Sequence, residues 1–223
     1  MSKFFGIGPA AAWRFQGSFL IGVTRTVIIG PSEVLELIWI GWLISWIVAS
    51  LWSSPMQKCV ATSETWTYRA AIITGSILLM PWTAWMLAEK RIWEVDYNGV
   101  YALAGMMVAG LSLTWWARLH LGRLWSSAIT RKEDHRIVDT GPYAFVRHPI
   151  YAGLITAILA TSVVEATVTA LLGAALIAFG FWLKARSEEC FLAAELGPEA
   201  YRSYCRRVPM LVPFLPHRQL DTN

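Results

Sequence analysis

The sequence predicts an all-α, polytopic membrane protein with about five transmembrane helices, and three observations carry that prediction. Hydrophobic residues make up 56% of the 223 and charged residues only 15%, too apolar a balance for an ordinary water-soluble domain of this length. The apolar residues gather into runs close to the ~20 residues that cross a bilayer. Many of the thirteen tryptophans stand near the ends of those runs, where indole rings favour the membrane–water boundary. Trp39, Trp52, Trp66, Trp85, Trp93, Trp115, Trp125 and Trp182 read this way, while Trp42 and Trp46 read as packing residues within a helix.

Residues 1–33 form an N-terminal segment. Its stretch Phe15–Gly30 is apolar but short and interrupted by Arg25, which predicts an interfacial or partly inserted segment. A cleaved signal peptide is not expected, because the apolar part lies far from Met1 and no small-residue cleavage site follows before Pro31. Residues 34–117 hold three expected spans, Val34–Trp52, Ala70–Ala88 and Gly99–Ala117, with Pro81 predicted to kink the second by removing a backbone donor. Residues 118–223 hold the other two, Ile150–Val164 and Ala166–Leu183, which only Glu165 separates. Two spans with no room for a loop predict a tight helical hairpin over 149–183, with Glu165 at the far interface. Gly105–Gly110 and the small residues around Gly173 permit close helix approach.

With five spans, fourteen of the nineteen Lys and Arg fall in loop 53–69, segment 118–149 and tail 184–223. Positive residues mark the cytoplasmic side, so segment and tail are expected there. The same bias accounts for the net charge of +4 without a nucleic-acid partner. Cys59, Cys190 and Cys205 lie on this side with no C-x-x-C spacing, and read as reduced and structural, with no metal site. Chemistry must therefore be assembled from segment 118–149 and the tail, set against the helix ends.

In the segment, "GPYAFVRHPIYAG" turns at Gly141-Pro142, and Pro149 pushes His148 toward extended geometry before opening a helix. Arg147 and His148 thus sit on a rigid elbow, beside a helix N-terminus whose first amides are unbonded. In the tail, "KARSEECFLAAELGPEAYRSYCRRVP" predicts a helix over 184–196, a stop at Gly197 and a short helix from Pro198 carrying Tyr201 and Tyr204 on one side. Lys184 with Glu188, and Arg186 with Glu189, stand at helix-pair spacing.

The elbow sequence followed by "EE", "LG", two spaced tyrosines and "RRVP" resembles the isoprenylcysteine carboxyl methyltransferase family and its phospholipid methyltransferase relatives, over about 135–216. That resemblance implies an integral membrane methyltransferase that moves a methyl group from S-adenosylmethionine to a lipophilic or prenylated acceptor entering from the bilayer. The leading acceptor is an isoprenylcysteine-like carboxylate, with a phospholipid amine as the alternative. It also implies that the cofactor contacts His135, Arg136, Ile137, Val138, Tyr143, His148, Pro149, Ile150 and Tyr151, together with Glu188 or Glu189, on the cytoplasmic face. A carboxylate suits ribose hydroxyls or the methionine amino group, and tyrosine rings suit a sulfonium. The Gly-rich turn of soluble methyltransferases has only a weak counterpart, Gly6-Ile7-Gly8, which follows no strand.

The sequence departs from the family pattern twice. Lys184 stands where the family places an arginine four residues before its first glutamate, and a glutamine upstream of the cofactor strip is replaced near Ala128. Lysine lacks the planar fork of arginine. A carboxylate acceptor is ionised at neutral pH and needs only a cation to orient it, for which Arg186, Lys184 and Arg147 are the candidates; an ammonium acceptor needs a base, for which Glu188 or Glu189 would serve. Two other classes stand against this reading: a sterol-type membrane reductase using NADPH, which shares an elbow motif, and a scaffold without chemistry.

Overall fold

A computed structural model describes residues 31–51, 64–122 and 138–213. Among these residues every regular element is helical: α1 (Pro31–Ser50), α2 (Glu64–Leu79), α3 (Pro81–Met86), α4 (Tyr97–Leu121), α5 (Pro149–Glu165), α6 (Val168–Leu196) and α7 (Pro198–Arg207), with a 3-10 turn at Gly141–Ala144. Three helical stretches are long and apolar enough to cross a membrane: Glu33–Ser50, Tyr97–Leu121 and Val168–Ala194. Helix α5 is a shorter apolar helix. The N-terminal segment over 15–30, Cys59, Trp125, Ala128 and His135–Ile137 lie outside the described residues.

Local chemistry fixes the boundaries. Met80 is extended (φ −68°, ψ 133°), as a residue before proline prefers, so Pro81 ends α2 outright and starts α3 where the sequence predicted a kink within one span. The Asp96 carboxylate accepts the amide of Gly99 at 3.0 Å and caps α4. At the other end of the hairpin, Ala166 adopts a left-handed conformation (φ 53°) and Thr167 caps α6 by accepting the Ala170 amide at 3.2 Å. Two residues therefore join α5 to α6, and the expected tight hairpin is present. Loop 87–96 closes over this tip, with Ile92 N–H donating to Ala166 O at 2.7 Å and the Trp93 indole to Val163 O at 2.9 Å.

The helices associate as membrane helices do, through small residues and side-chain hydroxyls. Helix α2 packs along α6 and α4 along α5. A β-carbon on Gly110 would lie 2.5 Å from Gly153 O, and one on Gly75 2.6 Å from Gly173 O, so these crossings admit backbone only. Gly105, by contrast, faces open space. Helix α1 docks by tryptophan: the indoles of Trp39 and Trp42 each donate at 3.0 Å, to Thr161 and Thr114, and that of Trp115 reaches Ser45 at 3.2 Å. Trp39 and Trp115, expected at the interface, thus join Trp42 and Trp46 in packing, because a buried indole N–H needs an acceptor. Leu35, Val100, Met107, Leu111, Ala157 and Val164 fill the core between α1, α4 and α5.

The sequence ended the last span at Leu183, yet α6 continues without a break to Leu196. That extension carries Lys184, Glu188 and Glu189 on a rigid rod. Gly197 (φ 91°) then reverses the chain, and α7 lays Tyr201, Tyr204 and Val208 back against Leu192 and Ala193.

Candidate functional site

The elbow is built first. Gly141 (φ 58°) lets the chain turn against the ring of His120, whose Nε2 lies 2.9 Å from the Thr140 hydroxyl. Pro142, Tyr143 and Val146 bury behind it. The end of α7 then binds the elbow as an extended strap: Arg147 N–H donates to Pro209 O at 2.8 Å, His148 N–H to Met210 O at 3.1 Å, and the Tyr204 hydroxyl to Tyr143 O at 2.8 Å. Burial raises the phenols of Tyr143, Tyr201 and Tyr204 well above their ordinary range, so they stay neutral here.

Arg147 locks the joint. Its Nε and Nη2 form a fork on Glu189, at 2.6 and 3.1 Å, while Nη1 donates to the carbonyls of Cys205, at 3.1 Å, and Val208. Burial works against this charge, but the hydrogen bonds and charge of Glu189 outweigh it and hold the guanidinium pKa above its usual value. Most of its donors are taken within the protein, so Arg147 is a structural cation here.

The two glutamates flank His148. Nε2 lies 3.2 Å from Glu189 Oε1, and Nδ1 lies 3.6 Å from Glu188 Oε2. Glu188 also accepts the Tyr151 hydroxyl at 2.6 Å, and Lys184 Nζ stands 4.0 Å from the same oxygen and 5.1 Å from the centre of the Tyr151 ring. His148, Tyr151 and Phe181 stack in sequence, with centroids 5.5 and 5.2 Å apart. This column joins a charged cluster to the apolar helical interior.

Of the residues singled out from sequence, Tyr143, Arg147, His148, Pro149, Tyr151, Lys184, Glu188 and Glu189 therefore come together around one joint. Ile150 follows Pro149 in the first turn of α5, and Val138 precedes the elbow, half-buried. Arg186 does not join them. It is exposed on the outer side of α6, with its guanidinium 5.1 Å from the centre of the Trp182 ring, and Arg147 holds the Glu189 that spacing had assigned to it. A buried carboxylate is better satisfied by a forked partner reached across the fold than by a solvated neighbour on its own helix. Sequence reasoning missed Phe181 and the strap carbonyls. For the carbonyls "RRVP" was the signal, since an extended Val-Pro step after a helix leaves carbonyls free to accept.

Residues 103–194, which span the elbow and both glutamates, match the sequence pattern of the isoprenylcysteine carboxyl methyltransferase family. The matched region is similar to that family. The chain is also 30% identical over 115 residues to the protein-S-isoprenylcysteine O-methyltransferase of Schizosaccharomyces pombe, covering 50% of this chain and 48% of that protein. It is 32% identical over 173 residues to methanethiol S-methyltransferase 1 of Bradyrhizobium diazoefficiens, covering 73% of this chain and 58% of that protein. It thus spans roughly half of each relative's length. A solved structure of the eukaryotic intramembrane Ras methyltransferase of the isoprenylcysteine carboxyl methyltransferase family superimposes with a TM-score of 0.53, over 86% of this chain and 71% of that one. At 17% identity that likeness concerns the fold, and it agrees with the all-helical arrangement.

Proposed function

We propose that this chain is an integral membrane methyltransferase that moves a methyl group from S-adenosylmethionine to a lipid-borne acceptor, with about five spans and the site on the cytoplasmic face. The observation that carries this is the single cluster joining the elbow His148–Tyr151 to Glu188 and Glu189, all within the family-matched region. The donor set fits the cofactor. Proline at the first position of α5 and the lack of a side-chain cap leave the first amides of that helix to meet a carboxylate. Glu188, oriented by Tyr151, suits the amino group or ribose hydroxyls.

When bound, S-adenosylmethionine supplies an electrophilic methyl on a sulfonium. The chain's own contribution is alignment and dryness, since displacement at that carbon gains most from proximity. Glu189 fixes the His148 ring, Arg147 fixes Glu189, and the strap fixes Arg147. The aromatic column excludes water on the bilayer side. Lys184 is the cation that faces the cluster, so it orients an isoprenylcysteine-like carboxylate, the acceptor this reading favours. Loss of such a charge-assisted contact costs about 1.5–3 kcal/mol. Lys184→Ala is therefore expected to slow methylation of a farnesylcysteine by about 10- to 150-fold. Arg186→Ala, on the outer side of α6, should stay within about 2-fold of the parent. A loss confined to Arg186→Ala, with Lys184→Ala near the parent, would return the role to Arg186.

The 173-residue match to a methanethiol S-methyltransferase favours one second reading, a thiol acceptor. A thiol must lose its proton, for which Glu188 is the base, whereas a carboxylate releases none. Thermal shift of the detergent-purified protein tests the cofactor. S-adenosylmethionine and its demethylated product should each raise the melting point, because a ligand that binds only the folded state stabilises it. Stabilisation by NADPH alone would replace the methyltransferase with a reductase.

A further inference from the structure

Arg186 stands outside the joint, on the outer side of α6. Its guanidinium lies 5.1 Å from the centre of the Trp182 ring, and Trp182 in turn stacks on Phe179 with centroids 5.8 Å apart. These three belong to one stripe. Val168, Leu172, Ala175, Phe179, Trp182 and Arg186 are all exposed, and their alternating spacing of four and three residues keeps them on a single helix face. The stripe is apolar until its last position, which is cationic.

Its depth in the membrane follows from α6 itself. Between Val168 and Leu183 the helix carries no charged residue, and Lys184 is the first. Trp182 therefore lies at the rim of the hydrocarbon, where indoles gather, and Arg186 stands one turn beyond it, at the depth of lipid phosphates. A second pair marks the same end of the packed helices. The Tyr68 carbonyl of α2 would lie 3.1 Å from a β-carbon added to Gly180, and the next residue, Arg69, places its guanidinium 5.9 Å from the centre of the exposed Trp66 ring. From Leu172 to Trp182 the stripe runs ~15 Å at the helical rise, about the depth of one leaflet.

Charge decides the occupant. The carboxylates nearest Arg186 along α6 are turned into the joint, where Glu188 accepts the Tyr151 hydroxyl and Glu189 the Arg147 fork. Their charge is met there, and Arg186 keeps its own toward the bilayer. An aromatic ring attracts the face of a guanidinium while a phosphate binds its N–H edge, so both contacts can be made at once. We infer that this outer stripe of α6 binds an anionic phospholipid, with an acyl chain along Leu172, Ala175 and Phe179 and the phosphate on Arg186. A phosphatidylcholine matches the apolar part equally, but it brings a quaternary ammonium beside its phosphate, which the guanidinium repels. Bound there, the anionic lipid fixes the depth of the α6 rod one turn before Glu189.

Native mass spectrometry of the detergent-purified full-length protein tests this without turnover. Phosphatidylglycerol and phosphatidylcholine with the same acyl chains are added in equal amounts and their adducts compared. The parent should retain phosphatidylglycerol about 5-fold more than phosphatidylcholine, the effect of one cation at an anionic surface. Arg186→Gln should bring that ratio to about 1. Trp182→Leu, which removes the ring and keeps the stripe apolar, should lower it by about 2- to 5-fold. Arg206→Gln is the control, an exposed cation in the last turn of α7, and should leave the ratio as in the parent. A parent that retains both lipids equally would overturn the inference, as would a preference that survives Arg186→Gln. So would an equal loss in Arg206→Gln, which would make the preference a property of the whole basic face. Displacement of the phosphatidylglycerol adduct by millimolar inorganic phosphate would also overturn it, since a lipid held along its chain should stay. Failure on any of these counts leaves the methyltransferase reading as it stands, because neither methyl donor nor acceptor takes part.

Discussion

Glu189→Ala is expected to lower stability by about 3 kcal/mol and to abolish the melting shift with S-adenosylmethionine, because it strands a largely buried guanidinium. Arg147 and Glu189 are only 11% and 17% exposed at their side chains, so solvent cannot replace the lost fork. The damage spreads: Arg147 also holds the carbonyls of Cys205 and Val208, and His148 loses the partner of its Nε2. Replacing both partners, Arg147→Met with Glu189→Leu, should recover much of the stability and none of the cofactor binding, since the cost lies in the unpaired charge rather than in the absent pair. Urea unfolding in mixed micelles measures the first effect and thermal shift the second. A Glu189→Ala protein that unfolds at the parent's midpoint would show that the fork contributes nothing to the joint.

The same pair marks where the sequence stopped being legible. Helix ends could be read because their chemistry is local: Pro149 opens α5, and Gly197 with Pro198 divides α6 from α7. The hairpin could be read because Glu165 left no room for a loop. Which cation meets which carboxylate could not. Helical spacing offered Arg186 to Glu189, yet the partner is Arg147, forty-two residues away in sequence, brought there by the fold-back of α7 and the strap at Pro209 and Met210. Lys184 and Glu188, four apart on one helix, did come together as their spacing required, at 4.0 Å. Pairings within one helix follow from period, whereas pairings across the joint depend on a chain reversal that no single segment encodes.

Glycines gave a similar lesson, and they set the second large effect. The run Gly105–Gly110 offered two residues for close packing, and only Gly110 is used, against Gly153 of α5. Each glycine places its Cα against the other's carbonyl oxygen, so neither backbone can retreat without parting the helices. Gly153→Val should cost ~3 kcal/mol or more, at the upper end for overpacking, because the obstacle is backbone rather than a side chain that can swing away. The loss should reach the site as well. Gly153 is one turn above Pro149, and a shift of α5 away from α4 carries the elbow off the strap that bonds Arg147 and His148. Gly105→Val on the same α4 helix is the control: nothing lies within 4 Å of its added β-carbon, and valine there should leave the melting point within a few degrees of the parent. If both variants lost stability equally, the penalty would belong to valine in α4 and α5 generally. A selective loss at Gly153, with weakened S-adenosylmethionine binding, would tie the α4/α5 crossing to the geometry of the elbow.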